Sequence, residues 1–331
     1  MNNYFKLGLG LAAVMAIAFL ATGGFTGFTS AKGFEKVRAA EISQTQSAPL
    51  YYAIENKLFE KEGLELETVR FQAPKDIIDA VSLGRIDFTA PSAATGISAI
   101  AESIEPGKIK YYAFACEPDG GSMQLLVRNE SNITSFSGLQ GKKVGHLPGP
   151  QWKTITSRII SLNNVSLDSV QLLDLAIPLQ LQALESGQVD AVMAYNPIPQ
   201  IAIEKGTGKI AVSNVGEKFI ANPFCPGAGL FSSKFLAERP EAAKKVLKVM
   251  KESVEELKKK PHPELAVKYL KVGSKVAEML PHPIHSFIFF NELTLQEKSG
   301  IQKFLDLFYE EKVMGKRVLL GEMLLNSTGL P

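Results

Sequence analysis

This sequence of 331 residues has no strong excess of either positive or negative charge. Its 36 lysines and arginines nearly balance its 34 aspartates and glutamates, which leaves a formal net charge of +2. Nucleic-acid-binding domains concentrate basic residues on one face, so we exclude nucleic acid as a partner. With 45% hydrophobic and 21% charged residues, the composition is that of a globular protein. Because domains usually hold about 100–150 residues, we expect two of them.

Cysteine is scarce, and the common catalytic motifs are absent. Cys116 and Cys225 are the only cysteines, and no GxSxG, HExxH, GxxxxGK or CxxC motif occurs. His282 and His285 lie three residues apart, but Pro283 interrupts the segment and no carboxylate is near. We therefore predict no catalytic residue, no cofactor and no metal site, and we expect a protein that is not an enzyme.

Long apolar runs are confined to the N-terminus. Residues 1–31 combine Lys6, the uncharged run LGLGLAAVMAIAFL and a stretch of small residues, the order of a secretory signal peptide cleaved after Ala31. A transmembrane anchor is the alternative, although a spanning helix needs about 20 apolar residues and this run is shorter. No cysteine follows it, so we expect a periplasmic protein that is not a lipoprotein.

Strand-like and helix-like segments alternate through residues 37–195. Short or alternating apolar runs predict the strands, and apolar residues at helical spacing predict the helices between them. Such alternation is typical of an α/β protein in which mostly parallel sheets are covered by helices. We therefore predict an α/β fold.

One unit of this pattern occurs twice. VSLGRIDFTAPSAA, residues 81–94, has a counterpart in LESGQVDAVMAYNP, residues 184–197. Aligning the two places a helix-ending glycine on a glycine and Asp87 on Asp190, each aspartate at the start of a strand. We interpret the repeat as two similar lobes in which both aspartates are structural.

Two segments rich in glycine and proline separate these lobes. EPDGGS, residues 117–122, and NPFCPGAG, residues 222–229, are predicted to be the crossovers between them. We assign residues 32–118 and 229–331 to lobe 1, and residues 119–228, with the crossovers, to lobe 2. The C-terminal remainder is predicted to be helical, to add no third sheet and to pack against lobe 1.

Five segments in order resemble those of a known family. They are APLYYAIENKLFEKEGLELE, AVSLGRIDF, SFSGLQGKKVGHLPG, ALESGQVDAVMAYNP and SSKFLAERPEAAKKVLKVM. The sequence resembles periplasmic solute-binding proteins of ABC importers with the type II binding-protein fold, within the nitrate, sulfonate and taurine group. The resemblance implies two lobes joined by a two-segment hinge, a small-molecule ligand in the cleft, and an ABC permease in the inner membrane as partner. We expect a monomer.

The candidate ligand-binding residues follow the strands of each lobe, because ligands of open α/β sheets bind beyond the carboxyl ends of strands. They are Gln44, Gln46, Ser47, Ser92 and Thr95 in lobe 1, and Gly149, Gln151, Trp152, Tyr195 and Asn196 in lobe 2. Backbone amides at the start of the helix near Trp152 favour an anion.

Trp152 and Tyr195 are the aromatic members of this set. They suit a flat or apolar ligand, whereas the alternative for Trp152 is packing beneath its own helix. Lys153 is the sole cation on these loops. We therefore expect a small organic solute, either sulfonate- or carboxylate-like or heteroaromatic, in preference to a doubly charged inorganic anion.

Cys116 and Cys225 fall at the two predicted crossovers. Either they form a disulfide across the hinge, or one or both line the base of the cleft.

Two functions other than transport are considered: a ligand-sensing module for a membrane receptor, and an enzyme similar to thiamine-pyrimidine synthases. The latter resemblance would require a cysteine-rich iron motif, which two distant cysteines do not provide.

Overall fold

The computed structural model describes residues 33–117 and 121–326. The predicted signal peptide and its cleavage site after Ala31 lie outside the described residues. None of the helices in the described part of the chain is long and apolar enough to cross a membrane. All contacts reported below lie within the unit Phe34–Pro331.

The described residues form twelve strands, which divide between two sheets. In chain order they are β1 Glu35–Glu41, β2 Leu64–Arg70, β3 Phe88–Thr89, β4 Ala93–Ala94, β5 Ile109–Cys116, β6 Met123–Arg128, β7 Lys143–His146, β8 Gln171–Asp174, β9 Ala191–Tyr195, β10 Gly208–Val212, β11 Gly227–Ser232 and β12 Ser286–Phe289. Helices cover both sheets, so the predicted α/β class with two helix-flanked sheets is confirmed.

The helices of the described residues fill the connections between these strands. They are α1 Ala48–Glu55, α2 Leu58–Lys61, α3 Pro74–Ser82, α4 Thr95–Ile104, α5 Pro150–Leu162, α6 Ile177–Glu185, α7 Ile198–Glu204, α8 Val215–Phe219, α9 Ser233–Glu238, α10 Pro240–Lys259, α11 Pro263–Leu265, α12 Ser274–Glu278, α13 Leu295–Glu310 and α14 Leu320–Met323. Short 3-10 turns and one π-helical turn, Ala266–Leu270, complete the list. Several helices, α5 and α10 among them, start with proline, whose fixed φ suits the first turn.

The first sheet has the strand order β12-β5-β11-β3-β1-β2, with β4 paired to β11. β1 is parallel to β2 and β3, whereas β11 is antiparallel to β3, β4 and β5, and β12 is antiparallel to β5. The sheet is therefore mixed, not mostly parallel as the sequence predicted. The reason is that the chain leaves this sheet along β5 and returns along its neighbour β11, in the opposite direction.

The second sheet has the order β10-β6-β9-β7-β8. β7 is parallel to β8 and β9, and β6 is antiparallel to β9 and β10. This sheet is also mixed, because β6 enters it directly from the crossover. The strands of the repeated unit, β3 and β9, each lie between one parallel and one antiparallel neighbour. The lobe boundaries themselves stay a prediction.

The repeated unit folds in the same way in both halves. Gly84 and Gly187 have positive φ values of 65° and 74° after α3 and α6, a conformation that favours glycine. The carboxylate of Asp87 accepts a hydrogen bond from the backbone amide of Arg38 in β1 at 2.8 Å. Asp190 accepts one from the backbone amide of Lys143 in β7, also at 2.8 Å. Both aspartates thus bond to the backbone of a neighbouring strand, which is a structural role.

The C-terminal remainder packs mainly on the first sheet. Its longest helix, α10, contacts α1 and α2, and α13 contacts α4. The prediction that this remainder is wholly helical is wrong, because Ser286–Phe289 forms β12 beside β5. β5 would otherwise be an edge strand with unpaired amides and carbonyls, which β12 pairs.

Candidate functional site

The strand-exit hydroxyls of the first sheet bond to one another. Ser47 Oγ donates to the carbonyl of Ile42 at 2.8 Å and lies 3.0 Å from Ser92 Oγ. Both serines are buried. Their hydrogen bonds join the loop after β1 to the loop after β3.

Thr95 and Gln151 are attached to the returning crossover. Thr95 Oγ1 donates to the carbonyl of Cys225 at 2.9 Å, and the side-chain amide of Gln151 donates to the carbonyl of Pro226 at 3.3 Å. Gln151 Oε1 also accepts from the amide of Gly96 at 2.5 Å. A Cβ on Gly96 would lie only 2.3 Å from the ring of Phe308, so glycine permits the close approach of α4 to α13. Thr95 and Gln151 therefore serve as ties between the two sheets.

Thr45 and His285 form a buried pair that the sequence did not reveal. Thr45 Oγ1 lies 2.7 Å from His285 Nε2, and His285 Nδ1 lies 3.3 Å from the carbonyl of Cys116. Because Nδ1 must donate to that carbonyl, Nε2 accepts from the threonine hydroxyl. Burial lowers the pKa of His285 to about 4, so the ring is neutral at neutral pH. Gln46 is buried beside this pair, with Oε1 3.4 Å from Thr45 Oγ1.

Trp152 and Tyr195 contact each other edge to face. Their ring centroids are 4.9 Å apart and their planes make an angle of 65°. The Tyr195 hydroxyl donates to the sulfur of Met123 at 2.7 Å, and burial raises the pKa of the Tyr195 phenol well above its usual value. The indole thus packs against Tyr195, a strand-exit residue of the second sheet. The two predicted aromatic residues are therefore in contact.

A small cavity lies between residues of the two sheets. Ser43 and Gln44, after β1, form one side, while Gln180, Tyr195 and Asn196 are among the residues on the other. None of the described residues that line it is charged. Its volume of about 10 Å³ has room for about one water molecule. In this conformation the space between these residues is therefore too small for an organic ligand.

Three buried polar atoms near the second sheet's strand exits have no hydrogen-bond partner. They are Trp152 Nε1, Asn196 Oδ1 and Gln200 Oε1. Buried polar groups in folded proteins are nearly always paired, so atoms such as these require an explanation. The start of α5 adds further donors, because no side chain caps the first amides of the helix. Trp152 Nε1 and these amides donate, so they could hold a ligand that carries negative charge, whereas Asn196 Oδ1 and Gln200 Oε1 can only accept a hydrogen bond.

The chain is joined covalently beside the two crossovers. Cys116 and Cys225 form a disulfide, the first of the two alternatives that the sequence left open. The backbone amide of Glu117 donates to the carbonyl of Phe224 at 2.9 Å. Both crossovers are thus held together at the point where the chain passes from the first sheet to the second.

Glu117 itself is buried in the first crossover. Its Oε1 accepts from the amide of Met123 at 2.7 Å and from the hydroxyl of Ser122 at 3.1 Å, while its Oε2 has no partner. Burial raises the pKa of this carboxyl to about 8, so the group is mostly protonated at neutral pH. Sequence reasoning missed it, since a single acidic residue in a glycine-rich segment is ordinarily exposed.

Metal binding has no support in the described part of the chain. No group of three or more histidine, cysteine, aspartate or glutamate side chains there could hold a metal ion. His285 is engaged with Thr45 and the carbonyl of Cys116, as described above.

Three curated relatives share part of this sequence. A protein of Bacillus subtilis named for binding aliphatic sulfonates is 27% identical over 251 residues, 74% of this chain and 73% of that protein. A protein of Brachyspira hyodysenteriae named as a periplasmic binding protein of an ABC transporter is 26% identical, and the match covers 64% of each chain. An enzyme, 4-amino-5-hydroxymethyl-2-methylpyrimidine phosphate synthase of Candida albicans, is 24% identical over 62% of each chain. The chain thus spans slightly less than two thirds of the latter two relatives.

Solved structures show the same fold. The periplasmic aliphatic sulphonate binding protein SsuA from Escherichia coli superposes with a TM-score of 0.70 at 19% identity, over 88% of this chain and 97% of that one. The alkanesulfonate-binding protein SsuA from Xanthomonas axonopodis, bound to MOPS, gives a TM-score of 0.72 at 19% identity, over 87% and 97%. The predicted type II binding-protein fold is therefore confirmed.

The family follows from a direct match of the sequence. The model of the NMT1/THI5-like family matches residues 44–264, which is most of the described chain. These relatives and structures are mainly binding proteins, with an enzyme among them. The chain belongs to the NMT1/THI5-like family.

Proposed function

We propose that this protein is an extracytoplasmic solute-binding protein that captures a small organic sulfonate or carboxylate between its two sheets and delivers it to an ABC permease. The names of the relatives from Bacillus subtilis and Brachyspira hyodysenteriae support this function. They favour transport over a ligand-sensing module, because they refer to solute binding and ABC transport.

The observation that carries the proposal is the pair of unpartnered polar atoms on Trp152 and Asn196. The indole N–H can only donate, and the side-chain amide of Asn196 both donates and accepts. The indole N–H and the amides at the start of α5 suit a sulfonate or carboxylate head group, to which Asn196 donates through its Nδ2, because its Oδ1 can only accept. The uncharged lining of the cavity suits a singly charged anion whose organic part contacts the aromatic rings.

The predicted site residues then divide into two roles. Gln44, Gly149, Trp152, Tyr195 and Asn196 contact the ligand. The other predicted residues hold the loops and sheets in position: Gln46, Ser47, Ser92, Thr95 and Gln151. The hydrogen bonds of the last four to the crossover or to one another, and the position of Gln46 beside Thr45, support this division.

Ligand entry requires the sheets to separate, because the closed cavity is too small for an organic acid. The predicted crossovers, residues 117–122 and 222–229, supply the hinge. A ligand that binds the closed form better than the open form shifts the equilibrium towards closure. Non-covalent capture of this kind needs no catalytic residue, so we propose that the protein is not an enzyme.

Export, cleavage after Ala31 and a monomeric state complete the proposal. The order of charged, apolar and small residues at positions 1–31 supports export. Edman sequencing of the secreted protein tests the cleavage, and light scattering after size-exclusion chromatography tests the monomer. Recovery of chemically unchanged ligand after prolonged incubation tests the absence of catalysis.

The ligand class is tested by a thermal-shift screen with alkanesulfonates, taurine, nitrate, carboxylates and pyrimidines. A ligand at 100 times its Kd stabilises the native state by about 2.7 kcal/mol, which raises Tm measurably. We expect sulfonates or carboxylates to raise Tm and nitrate to leave it unchanged. A response to nitrate alone would contradict the proposal.

A further inference from the structure

A second, larger cavity of about 300 Å³ lies between the start of α1 and residues 257–284 of the C-terminal remainder. Most of its lining is apolar, including Tyr51, Leu257, Leu265, Leu270, Leu280 and Ile284. This volume is at the lower end of the range for sites that bind small organic molecules, which begins at about 300 Å³.

Gln44 connects this cavity to the one between the sheets. Its side chain lines both, with Thr45 beside it in the larger cavity. The two cavities therefore share Gln44 as a lining residue. A ligand whose polar end lies between the sheets would have its other end directed past Gln44 if it extended towards α1.

The wall of the larger cavity also contacts the second sheet's helices. Ala277 and Glu278 of α12 line the cavity, and α12 contacts α7, the helix that follows Asn196. Lys275 Nζ lies 3.7 Å from Glu204 Oε1 across this contact. Separation of the sheets would therefore break the contact between α12 and α7 beside this cavity, whose lining residues all belong to the predicted lobe 1.

One polar atom in the larger cavity's lining is unsatisfied. His262 lines the cavity, its Nδ1 lies 2.8 Å from Glu264 Oε1, and its buried Nε2 has no partner. A few polar groups in an otherwise apolar lining are typical of ligand sites.

We propose that this cavity receives the apolar tail of the transported solute, which is an amphiphilic organic acid such as an alkanesulfonate several carbons long. The inference rests on the proposed function and specifies its substrate class. Burial of each methylene group strengthens binding by a roughly constant increment, so affinity should rise with chain length until the cavity is full.

Titration calorimetry with ethane-, butane-, hexane- and octanesulfonate, below their micelle concentrations, tests the proposal. We expect Kd to fall about fourfold for each added methylene. Leu270→Trp fills the cavity and should weaken octanesulfonate at least tenfold while ethanesulfonate is unaffected. Val267→Trp, on the same π-helical turn but exposed and outside the lining, is the matched control and should change neither. Leu280→Trp replaces the first variant if that protein does not fold.

The outcomes separate this inference from the function on which it rests. Binding of ethanesulfonate without dependence on chain length, or equal effects of Leu270→Trp and Val267→Trp, would overturn the tail cavity and leave the proposed function intact. Absence of binding by every sulfonate and by the matching carboxylates would overturn both.

Discussion

The two copies of the repeated unit agree in architecture and differ where their strands end. In both, a glycine with positive φ ends the helix and an aspartate accepts a backbone amide at 2.8 Å. Beyond the strand, Ser92 of the first copy bonds to Ser47, whereas Asn196 of the second has an unpartnered Oδ1. The first exit is satisfied within the protein, and the second has polar capacity left for a ligand.

The aspartates differ in what surrounds them. Asp87 is buried and also pairs with Arg38 at 3.0 Å and Arg239 at 2.5 Å. Asp190 is only half-buried, and its carboxylate is described with one backbone partner, Lys143. The same residue type at the same position therefore makes a larger network in the first sheet.

The largest effect is expected at Asp87. Asp87→Ala removes a buried carboxylate from two arginines and a backbone amide, and should lower the free energy of unfolding by about 3 kcal/mol. Asp190→Ala, the matched change in the second copy, removes one hydrogen bond and should cost about 1 kcal/mol. Urea unfolding of both variants measures the difference, and equal losses would show that the networks are energetically equivalent.

Next in size is the contribution of Trp152 to binding. Trp152→Ala removes an aromatic contact and the unpartnered N–H, and should weaken binding of the best sulfonate by about 1–3 kcal/mol, or about 5- to 150-fold. Calorimetry of the folded variant measures the loss. Trp152→Phe, which keeps an aromatic ring but has no N–H, distinguishes the two contributions. Unchanged affinity in both variants would remove Trp152 from the site.

Glu117, in the crossover between the two halves, makes stability depend on pH. The pKa of Glu117 in the folded protein, about 8, exceeds its ordinary value. The contribution of this carboxyl to the free energy of unfolding is therefore present at low pH and lost as the pH rises through 8. His285 has a pKa lowered to about 4, so its contribution is lost as the pH falls and is constant above its ordinary value of 6.5. Above pH 6.5 we therefore attribute the change of the free energy of unfolding with pH to Glu117.

Glu117→Gln should flatten this slope. We expect the wild-type free energy of unfolding to fall by about 1 kcal/mol per pH unit from pH 6.5 towards 8, and the variant to show no such fall. Urea unfolding at several pH values measures both slopes. If the two proteins lose stability equally over this range, the carboxyl of Glu117 does not titrate there.

The smallest expected effect concerns the serine pair of the first copy. Ser47→Ala and Ser92→Ala should each lower the free energy of unfolding by about 0.5–1.5 kcal/mol, because each breaks a buried hydrogen bond. A double-mutant cycle isolates the pair, and losses that add without coupling would indicate that the two hydroxyls do not interact.

The sequence predicted the elements whose signals are local. Apolar periodicity and helix-ending glycines placed α3, α5, α6 and the strands beside them, and the strand-exit rule selected Trp152 and Tyr195, which the structure brings into contact. These features depend on residues close together in the chain, so one sequence suffices to find them.

The remainder depends on contacts between distant residues. The segment SFIF forms β12 only because β5 offers it hydrogen bonds, and four apolar residues alone do not distinguish a strand from a helix. Thr45 and His285 are 240 positions apart, and no spacing rule relates them. Likewise, the buried polar atoms of Trp152 and Asn196 are identified as unpartnered only once their surroundings are known.

The central claim is that the strand exits of the second copy bind the ligand and those of the first hold the framework. Calorimetric titration of butanesulfonate into the wild type, Asn196→Ala and Ser92→Ala tests it most directly. The account predicts one site in the wild type, about tenfold weaker binding for Asn196→Ala, and an affinity within about twofold of wild type for folded Ser92→Ala. No binding to the wild type, or a loss in Ser92→Ala as large as in Asn196→Ala, would contradict it.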